Sequence, residues 1–391
     1  MVVLLENPVR SYAWGSPTVI PELLGRNSSG EPQAELWVGA HPGSPSTVVD
    51  DGRTLDRFIA ADPRTSLGES ACARFGPALP FLLKVLAVQR PLSIQVHPNL
   101  EQAAAGYAAE DAAGIPVDSP QRSYRDRNHK PEMALAVTDF EALLGFADPA
   151  HIAAVLEAFG HPDLDAAAEL LRAAGLATLV RRWLTLDSEE TDRLVTEVAK
   201  IAAQHSARDP FALVSRLAED YPGDRGVLIA LLMRHVRLRP GEAVFVPAGA
   251  PHAYLAGVAV EAQASSDNTV RAGLTPKHVD VAEAMRLLRY DGHGTVAVVP
   301  TPGARGELVY AEPGVSEFRM SRVEPSSEGV ELPAGPRLIL VLDGWADVNS
   351  GASQYRLQRG QAAFVQAAEP APRLAGRGVA VTVTTALDTA G

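Results

Sequence analysis

The pattern of apolar and polar positions divides the 391-residue chain into three regions. In residues 1–148, short apolar runs such as 81–88 alternate with stretches rich in glycine and proline, which favours strands and turns. From residue 149 to 225, apolar residues recur at the spacing of a helix face, which predicts a helical segment. Strand-like patterns return at 235–247 and recur towards the C-terminus. The sequence therefore predicts a mainly β protein with a helical insert.

Three predicted helices of this insert begin beside an aspartate. Asp148 and Asp209 each precede a proline, and Asp187 precedes Ser188. An aspartate that accepts backbone N–H bonds, with proline in the first turn, is typical of a helix start. Outside the insert, residues 100–109 could form one or more helical turns.

Two segments of the β regions resemble each other. Residues 238–248 and 357–367 each contain a strand, a glycine turn and an apolar strand that ends in Phe-Val. This weak repeat suggests two related β-barrel units, although two glycine-turn hairpins could also match by chance. The first copy continues to His252, whereas Ala371 stands at that offset in the second copy. If the repeat is real, the second unit has lost whatever His252 does.

The region from residue 297 to 391 has an all-β pattern. Its apolar runs 338–342 and 345–348 flank Asp343-Gly344, a favoured two-residue turn, and this arrangement predicts a hairpin. Jelly-roll barrels of the cupin type fit such a succession of short strands. We therefore expect a second β-barrel here.

Composition excludes several classes of partner. The formal net charge is -12, which argues against bulk nucleic-acid binding and against attachment to an anionic membrane. Cys72 is the single cysteine, so no internal disulfide can form, which fits a reducing compartment. No signal-peptide pattern is visible, and no apolar run is long enough to span a bilayer. We expect a cytoplasmic protein.

The first of three segments with metal-binding residue types lies in a predicted strand. Gln95 and His97 are two residues apart, so on a strand both side chains leave the same face, while Ile94 and Val96 face the other way. That geometry suits two metal ligands pointing into a barrel. Taken alone, the segment could equally be the polar face of an ordinary strand.

The second segment runs from Asn128 to Met133, and the third contains His252. In an extended chain Lys130 and Glu132 share a face, and a buried carboxylate is costly unless it is paired or bound to metal. A solvated loop is the alternative for this segment. His252 follows a rigid Pro/Gly loop, which is a common way to present a ligand at a barrel mouth, but a lone histidine is more often structural.

Together the segments supply two histidines, one glutamate and one glutamine. Imidazole and carboxylate ligands suit zinc, and also iron or manganese. A glutamine oxygen is an uncommon zinc ligand, so spacing rules alone do not select it. A cysteine-rich structural zinc site is excluded because Cys72 is the single cysteine.

These segments resemble the type I mannose-6-phosphate isomerases, also called phosphomannose isomerases. Spaced matches that keep the family's order are highly specific, and they span about the first three quarters of the chain. The helical insert and the C-terminal region match the family only in their position along the chain and in their pattern of apolar and polar residues. The matching stretches are 12–15, 35–39, 93–99, 128–132, 251–255 and 266–277.

The resemblance implies two cupin-type jelly-roll β-barrels plus an α-helical domain. Residues 1–148 and 226–296 would form the catalytic cupin domain, 149–225 an inserted helical domain, and 297–391 a C-terminal β-barrel domain that lacks metal ligands. It also implies a zinc-dependent aldose–ketose isomerase that interconverts mannose 6-phosphate and fructose 6-phosphate, by proton transfer between C1 and C2 through an enediol-like intermediate. One zinc ion per chain would be held by Gln95, His97, Glu132 and His252.

The resemblance also implies roles for residues around the metal. The implied substrate-binding residues are Ser93, Lys84, Asp267 and Lys277, and the implied catalytic residues are Arg271, His129, Lys130 and Glu261. The sequence leaves open whether His129 or Glu261 shuttles the proton: a histidine titrates near neutral pH without perturbation, whereas a glutamate needs burial. Leu100 departs from the family, in which many relatives are expected to carry a basic residue there.

Two other functions use the same residues. A non-catalytic bicupin protein that binds sugar or metal would keep the fold but lose the proton-shuttling and cationic side chains, which are present here. An iron(II) cupin oxygenase could use His97, His252 and Glu132 as its two-His, one-carboxylate set, but Gln95 would then fill a position that oxygen needs. The predicted partner is a small phosphosugar, and we expect a monomer with no nucleic-acid or membrane partner.

Overall fold

The computed structural model describes residues 1–291 and 296–387. The strands are β1 (Val2–Glu6), β2 (Val9–Arg10), β3 (Glu35–Gly39), β4 (Thr47–Val48), β5 (Phe81–Val88), β6 (Ile94–Val96), β7 (Glu132–Ala136), β8 (Phe140–Phe146), β9 (Met233–Leu238), β10 (Ala243–Val246), β11 (His252–Ala264), β12 (Val270–Gly273), β13 (Val296–Val298), β14 (Thr301–Pro302), β15 (Glu307–Tyr310), β16 (Arg319–Val323), β17 (Val330–Glu331), β18 (Arg337–Ser350), β19 (Ser353–Gln358), β20 (Ala362–Val365) and β21 (Arg373–Thr384). The helices are α1 (Val19–Leu23), α2 (Leu55–Ala61), α3 (Pro63–Leu67), α4 (Glu69–Phe75), α5 (Leu100–Ala112), α6 (Pro149–Glu157), α7 (Pro162–Ala174), α8 (Leu176–Leu184), α9 (Ser188–Gln204), α10 (Phe211–Asp220), α11 (Gly226–Ala230) and α12 (Val281–Leu287).

The strands form two large antiparallel sheets. The C-terminal sheet has the order β14-β15-β16-β21-β18-β20-β1-β4, with β17 beside β21 and β19 beside β18. The site sheet has the order β13-β10-β7-β11-β5-β3-β2 and also contains β6, β8, β9 and β12. Strand β11 joins its two halves, because one end pairs with β8 and β6 and the other with β7 and β5.

One apolar core lies between the two sheets. Leu83, Met133 and Phe245 contribute to it from the site sheet, and Phe318 and Phe364 from the C-terminal region. All five side chains are buried. Because burial of such a side chain contributes roughly 1.5–3 kcal/mol, this shared core holds the two sheets together.

Helices α6 to α10 lie within the predicted insert, which confirms the predicted helical segment. Together with α11, which follows directly after the insert, they build a second core. Asp148 and Asp187 cap α6 and α9 as expected, accepting hydrogen bonds from backbone N–H groups at 2.8 Å. The third helix begins at Phe211, after Asp209-Pro210, and has no side-chain cap. No helix in the described residues is long and apolar enough to cross a membrane.

The helical core also receives Ile94 and Val96 of β6, both fully buried. The helix after this strand, α5, is longer than the sequence indicated. Asn99 and Gln102 form a capping box at its start, with each side chain bonded to the other residue's backbone N–H. Because Ile94 and Val96 face the helices, Gln95 and His97 are left facing the opposite side of the strand, as alternation predicts.

The predicted hairpin at Asp343-Gly344 is wrong. Strand β18 runs without a turn from Arg337 to Ser350, and its pairing with β21 shifts register between Val341 and Asp343. Gly344 has a φ of 70° there. A glycine with positive φ and an extra residue produce a bulge that bends the strand, so a sequence that favours a turn is used to curve a sheet.

Two N-terminal strands belong to the C-terminal sheet. β1 pairs with β20, and β4 pairs with β1. The C-terminal sheet therefore contains strands from both ends of the chain. The predicted division into three domains stays a prediction. Its parts are 1–148 together with 226–296, then 149–225, and then 297–391.

Candidate metal centre and adjoining cleft

Three side chains of the site sheet converge on one buried point. His97 follows β6, Glu132 begins β7 and His252 begins β11. One ligand atom from each lies within 4.8 Å of the other two. The Nε2 atoms of His97 and His252 are 3.4 Å and 3.2 Å from Oε2 of Glu132. One carboxylate oxygen is thus shared by two imidazoles.

The backbone fixes the tautomer of both imidazoles. His97 Nδ1 lies 2.8 Å from the carbonyl oxygen of Asn268, and His252 Nδ1 lies 3.2 Å from that of Ala250. Because a carbonyl oxygen only accepts, each Nδ1 carries the proton and each Nε2 presents a lone pair to Glu132. Burial lowers the pKa of His97 to about 4, so its ring is neutral at neutral pH.

This arrangement fits a divalent cation. His97 Nε2 is buried and has no hydrogen-bond partner. Lone pairs from two imidazoles and a carboxylate repel one another unless a positive charge lies among them. Neutral imidazole and carboxylate are donors that zinc prefers, and a carbonyl partner on the other ring nitrogen is the usual support for such ligands.

Glu132 is ionised despite its burial. Burial alone would raise the pKa of its carboxyl, but the Lys130 ammonium holds it well below the usual range. Lys130 Nζ is 2.9 Å from Oε1 of Glu132, the oxygen not shared by the histidines. Lys130 and Glu132 thus lie on one face of the segment, as its extended conformation predicts.

Gln95 stands beside the same centre. In the sheet register it lies opposite His252 on β11 and opposite Arg271 on β12. Residues directly opposite each other in an antiparallel pair share a face of the sheet. Gln95 lines a small cavity of about 50 Å³ together with Glu132 and His252. The structure therefore brings the four predicted ligands to one side of the sheet.

A second buried ion pair borders this small cavity. Lys84 on β5 lies opposite Glu261 on β11, with 3.3 Å between Nζ and Oε2. Burial opposes the charge of Lys84, but the carboxylates of Glu35, Glu261 and Glu132 raise its pKa, so the ammonium stays protonated. Burial and the charge of Glu132 raise the pKa of Glu261. Lys84 is thus a fixed cation, and Glu261 is a carboxyl suited to hold a proton.

A cleft of about 680 Å³ adjoins the centre. Lys84, Gln95 and Lys130 line both the cleft and the small cavity, so the two spaces meet at these side chains. The cleft also collects most of the predicted substrate and catalytic residues from distant parts of the chain. Besides Lys84 and Lys130, these are Ser93, Asp267, Arg271 and Lys277.

Three cations of the cleft, Arg125, Arg271 and Lys277, form no ion pair within residues 1–291 and 296–387. Burial and the Arg125 guanidinium lower the pKa of Arg271. Burial, Arg271 and Arg125 lower the pKa of Lys277. Unpaired cations that disfavour one another's charge form a binding place for an anion.

Asp267 lies at the cleft on a loop that Asp126 holds. The Asp126 carboxylate accepts hydrogen bonds from Asp267 N–H at 2.8 Å and from Ser266 Oγ–H at 2.9 Å. Asp267 Oδ1 is also 3.6 Å from Nε2 of His41. The next residue is Asn268, whose carbonyl orients His97. The cleft wall and the metal centre are therefore built on one loop.

His129 is not among the residues that line the cleft or the small cavity. Its Nε2 lies 2.7 Å from Oε1 of Glu317 in the C-terminal region. Successive side chains of an extended segment point to opposite faces, and Lys130 points to the metal centre. His129 therefore faces away from that centre, and its implied catalytic role stays a prediction that this geometry does not favour.

Sequence reasoning gave no role to several residues that line the cleft. Arg10 is an isolated arginine, and Arg125 is one of three arginines in residues 122–127, so no spacing pattern identifies either. Tyr12, Trp14 and Trp37 lie in stretches that resemble the family, which was the only signal available for them. Arg10 and Lys277 lie on the Tyr12 ring, each with its charged atom 5.7 Å from the ring centre.

A second group of metal-binding residue types lies on the helical insert. His161, Asp163 and Glu197 lie close enough together to share an ion. Arg193 already donates to both carboxylates, each at 2.8 Å. The negative charge is thus compensated by an arginine, and the group is an ordinary surface network.

The chain is similar to known proteins in both sequence and fold. Residues 2–148 match the phosphomannose isomerase type I catalytic domain. Mannose-6-phosphate isomerase of Shigella flexneri is 39% identical over 382 residues, which cover 96% of this chain and 97% of that protein. The crystal structure of a lysine-to-alanine variant of phosphomannose isomerase from Salmonella typhimurium has a TM-score of 0.91 at 35% identity, covering 99% of this chain and 100% of that chain. A structure of mannose 6-phosphate isomerase bound with zinc and yttrium has a TM-score of 0.91 at 36% identity and the same coverage.

Fold and site define a protein with a buried metal-binding centre that opens into a cleft for an anionic ligand. Identity of 39% over nearly the whole chain narrows this class to one family. The chain belongs to the type I mannose-6-phosphate isomerases, and the resemblance found in its sequence segments is confirmed.

Proposed function

We propose that this protein is a zinc-dependent isomerase that interconverts mannose 6-phosphate and fructose 6-phosphate. One observation carries the proposal: His97 Nε2, His252 Nε2 and Glu132 Oε2 converge beside a cleft that holds unpaired cations. A metal centre next to an anion-binding place is what a phosphorylated sugar requires. The names of the relatives supply the particular sugar.

Gln95, His97, Glu132 and His252 would hold the zinc ion. When bound, zinc supplies a Lewis acid for the sugar oxygens at the reacting carbons. The protein's part is to hold both imidazoles in the orientation that presents Nε2 to the ion, through the carbonyls of Asn268 and Ala250, and to keep Glu132 ionised, through Lys130.

We propose that the phosphate binds at Arg125, Arg271 and Lys277. Lys84 and Lys130 are poorer candidates because Glu261 and Glu132 already compensate their charges. A phosphate dianion among the three unpaired cations would relieve their mutual repulsion. Ser93 and Asp267 line the same cleft and are proposed to bind sugar hydroxyl groups.

We propose Glu261, rather than His129, as the group that carries the proton. The carboxylate would take the proton from C2 of the aldose and return it to C1, while the hydroxyl proton on O2 passes to O1, so that the C1 carbonyl becomes a hydroxyl and C2 becomes the carbonyl. Its raised pKa supports this role, because a proton carrier works best when its pKa lies near the working pH. The Lys84 ammonium, 3.3 Å away, would stabilise the carboxylate whenever it is ionised. Lys130 would add fixed positive charge where the sugar oxygens become negative.

We propose that both β units are cupin-type jelly rolls. Their hairpins share details beyond the sequence repeat: Gly241 and Gly360 have φ values of 89° and 80°. The N–H of Arg239 and that of Gln358 each donate at 2.8 Å to the side chain three residues later. Such paired details favour a common origin over chance. The proposed domains are those predicted from the sequence, in a cytoplasmic monomer.

The test is a coupled assay with mannose 6-phosphate. We expect isomerisation by the purified protein, loss of turnover after treatment with a chelator, and recovery when zinc is restored. Folded, zinc-loaded protein that does not convert mannose 6-phosphate would reject the proposal. Oxygen uptake by the iron(II)-loaded protein would instead support the oxygenase.

A further inference from the structure

An ion pair connects the site to the C-terminal region. His129 Nε2 and Glu317 Oε1 are 2.7 Å apart, although the residues are separated by 188 positions in the chain. The side chains of His129 and Glu317 are 26% and 14% exposed. His129 directly precedes Lys130, which lines the cleft, whereas Glu317 lies between β15 and β16 of the C-terminal sheet.

Glu317 is rigidly placed and ionised. Its Oε2 accepts a hydrogen bond from the Ser316 N–H at 3.1 Å. The following residue, Phe318, is 1% exposed in the core between the two sheets. Burial opposes ionisation of the Glu317 carboxyl, but His129 and the backbone N–H groups lower its pKa. The C-terminal sheet thus presents a fixed negative charge to His129.

The segment that carries Lys130 is fixed from three directions. Asn128 C=O accepts a hydrogen bond from Asn268 Nδ2 at 2.8 Å, and Lys130 Nζ contacts Glu132. His129 points the other way, to Glu317. Of these three contacts, only the one to Glu317 comes from the C-terminal region.

We propose that Glu317 is a positioning residue of the active site, supplied by the C-terminal unit. Acting through His129, it holds Lys130 at the distance from Glu132 that the reaction needs. This role rests on the proposed function of the site. It gives the C-terminal unit, in which no metal ligands are predicted, a contribution to catalysis beyond covering apolar surface.

The experiment compares Glu317→Gln with a matched control, Tyr310→Phe. Tyr310 Oη donates to the Gly241 carbonyl at 2.9 Å, so the control also removes one hydrogen bond between the C-terminal region and the hairpin of the site sheet. We expect Glu317→Gln to lower kcat about tenfold with KM and zinc content little changed, as for loss of orientation at a reacting centre. We expect Tyr310→Phe to keep kcat within about twofold of the parent.

A second variant separates positioning from folding. His129→Asn should lower kcat as Glu317→Gln does, and the double variant should lose no more than either single variant, because both weaken the same contact. Equal kcat for Glu317→Gln and the parent would overturn the proposal, as would additive losses in the double variant. A parent protein that fails to isomerise would instead reject the proposed function, so the two failures are distinguishable.

Discussion

Val246 in the site sheet and Val365 in the C-terminal sheet hold the same place after a glycine turn, yet they face different partners. Val246 on β10 lies opposite Glu132 on β7, whereas Val365 on β20 lies opposite Arg337 on β18. The proposed metal ligand of one unit is therefore an arginine in the other. Arg337 is 1% exposed, so its charge is as deeply buried as that of Glu132.

The next strand of each unit continues this comparison. Two residues along from those positions, the site sheet pairs Glu261 with Lys84, and the C-terminal sheet pairs Thr382 with Ser321. Arg337 donates to Thr382 Oγ1 at 2.9 Å. One unit thus surrounds a proposed cation with acceptors, while the other carries its own cation, which donates to the Thr382 hydroxyl and the Pro333 carbonyl. The same scaffold accepts either solution.

The units also differ in one connection. β18 and β19 are joined by Gly351 and Ala352 alone, whereas residues 147–232 join the corresponding strands β8 and β9. This longer connection brings Asp220 and Tyr221 into the cleft. A tight turn in one unit thus corresponds to a helical layer in the other, and among the described residues the cleft and the candidate metal centre lie in the unit with that layer.

The largest expected effect comes from exchanging the residue at the position of His252 in the site sheet and at the matching position, Ala371, in the C-terminal unit. His252→Ala should lose its zinc and at least about 10³-fold in turnover, since a catalytic metal contributes several kcal/mol. The reverse change, Ala371→His, should gain no zinc, because Arg337 stands where Glu132 would be needed. Zinc content measured by atomic emission checks both variants. Full occupancy in His252→Ala would remove this residue from the ligand set.

The next effect concerns an unpaired arginine in the open cleft. Arg271→Ala should lower kcat/KM by roughly 10²–10³-fold with zinc retained, because its charge acts on the substrate and not on the metal. Arg305→Ala, at a surface arginine that is 92% exposed, is the control and should leave the kinetics unchanged. Steady-state kinetics with a coupled assay measures both. Near-normal turnover of Arg271→Ala would remove this residue from the mechanism.

The helical insert and the residues suited to metal binding could be predicted from the sequence because each follows a local rule. Helical spacing and capping aspartates identified the insert, and alternation placed Gln95 beside His97. Helix α5 gave a weaker signal because its alanine-rich sequence has no strong apolar face. Asp343-Gly344 misled because the same two residues suit a hairpin turn and a bulge, and the choice depends on the neighbouring strand β21.

The rest of the site depends on contacts between distant segments. Nothing near His129 in the sequence indicates Glu317. Arg125 gains its place in the cleft through Asn268, whose side-chain oxygen accepts from the Arg125 N–H at 2.7 Å. A single sequence contains no local signal for such a bond.

A smaller effect compares the carboxylates at Glu141 and Asp347, each opposite an arginine in its sheet. Burial opposes ionisation of Glu141, but His235 and Arg216 of the insert lower its pKa to about 2. Because this pKa lies below the ordinary value, its stabilisation is present above about pH 4.5 and is lost as the pH falls towards 2.

Glu141→Gln should therefore lose roughly 1–2 kcal/mol of unfolding free energy at pH 7, after allowance for solvent screening, and much less at pH 3. Asp347→Asn should shift the unfolding midpoint little at either pH, because Arg356, its partner, is largely exposed. Denaturant unfolding at both pH values measures the difference. Equal losses at pH 7 and pH 3 would show that the charge of Glu141 is not what stabilises the insert.

The smallest expected effect tests the buried cation of the C-terminal unit. Arg337 makes hydrogen bonds to Thr382 and Pro333 but no ion pair within the described residues, and its Nε has no partner. Burying a charge without a counter-charge is costly, so Arg337→Met should leave the unfolding free energy unchanged or raise it by up to about 2 kcal/mol, with normal turnover and zinc content. The same apolar replacement of Glu132 should abolish zinc binding. Thermal and denaturant unfolding of Arg337→Met decides the matter. If Arg337→Met instead lost more than about 2 kcal/mol of unfolding free energy, the C-terminal unit would depend on its buried arginine for stability. Each unit would then need a positive charge at this place, from an arginine in one and from the metal in the other.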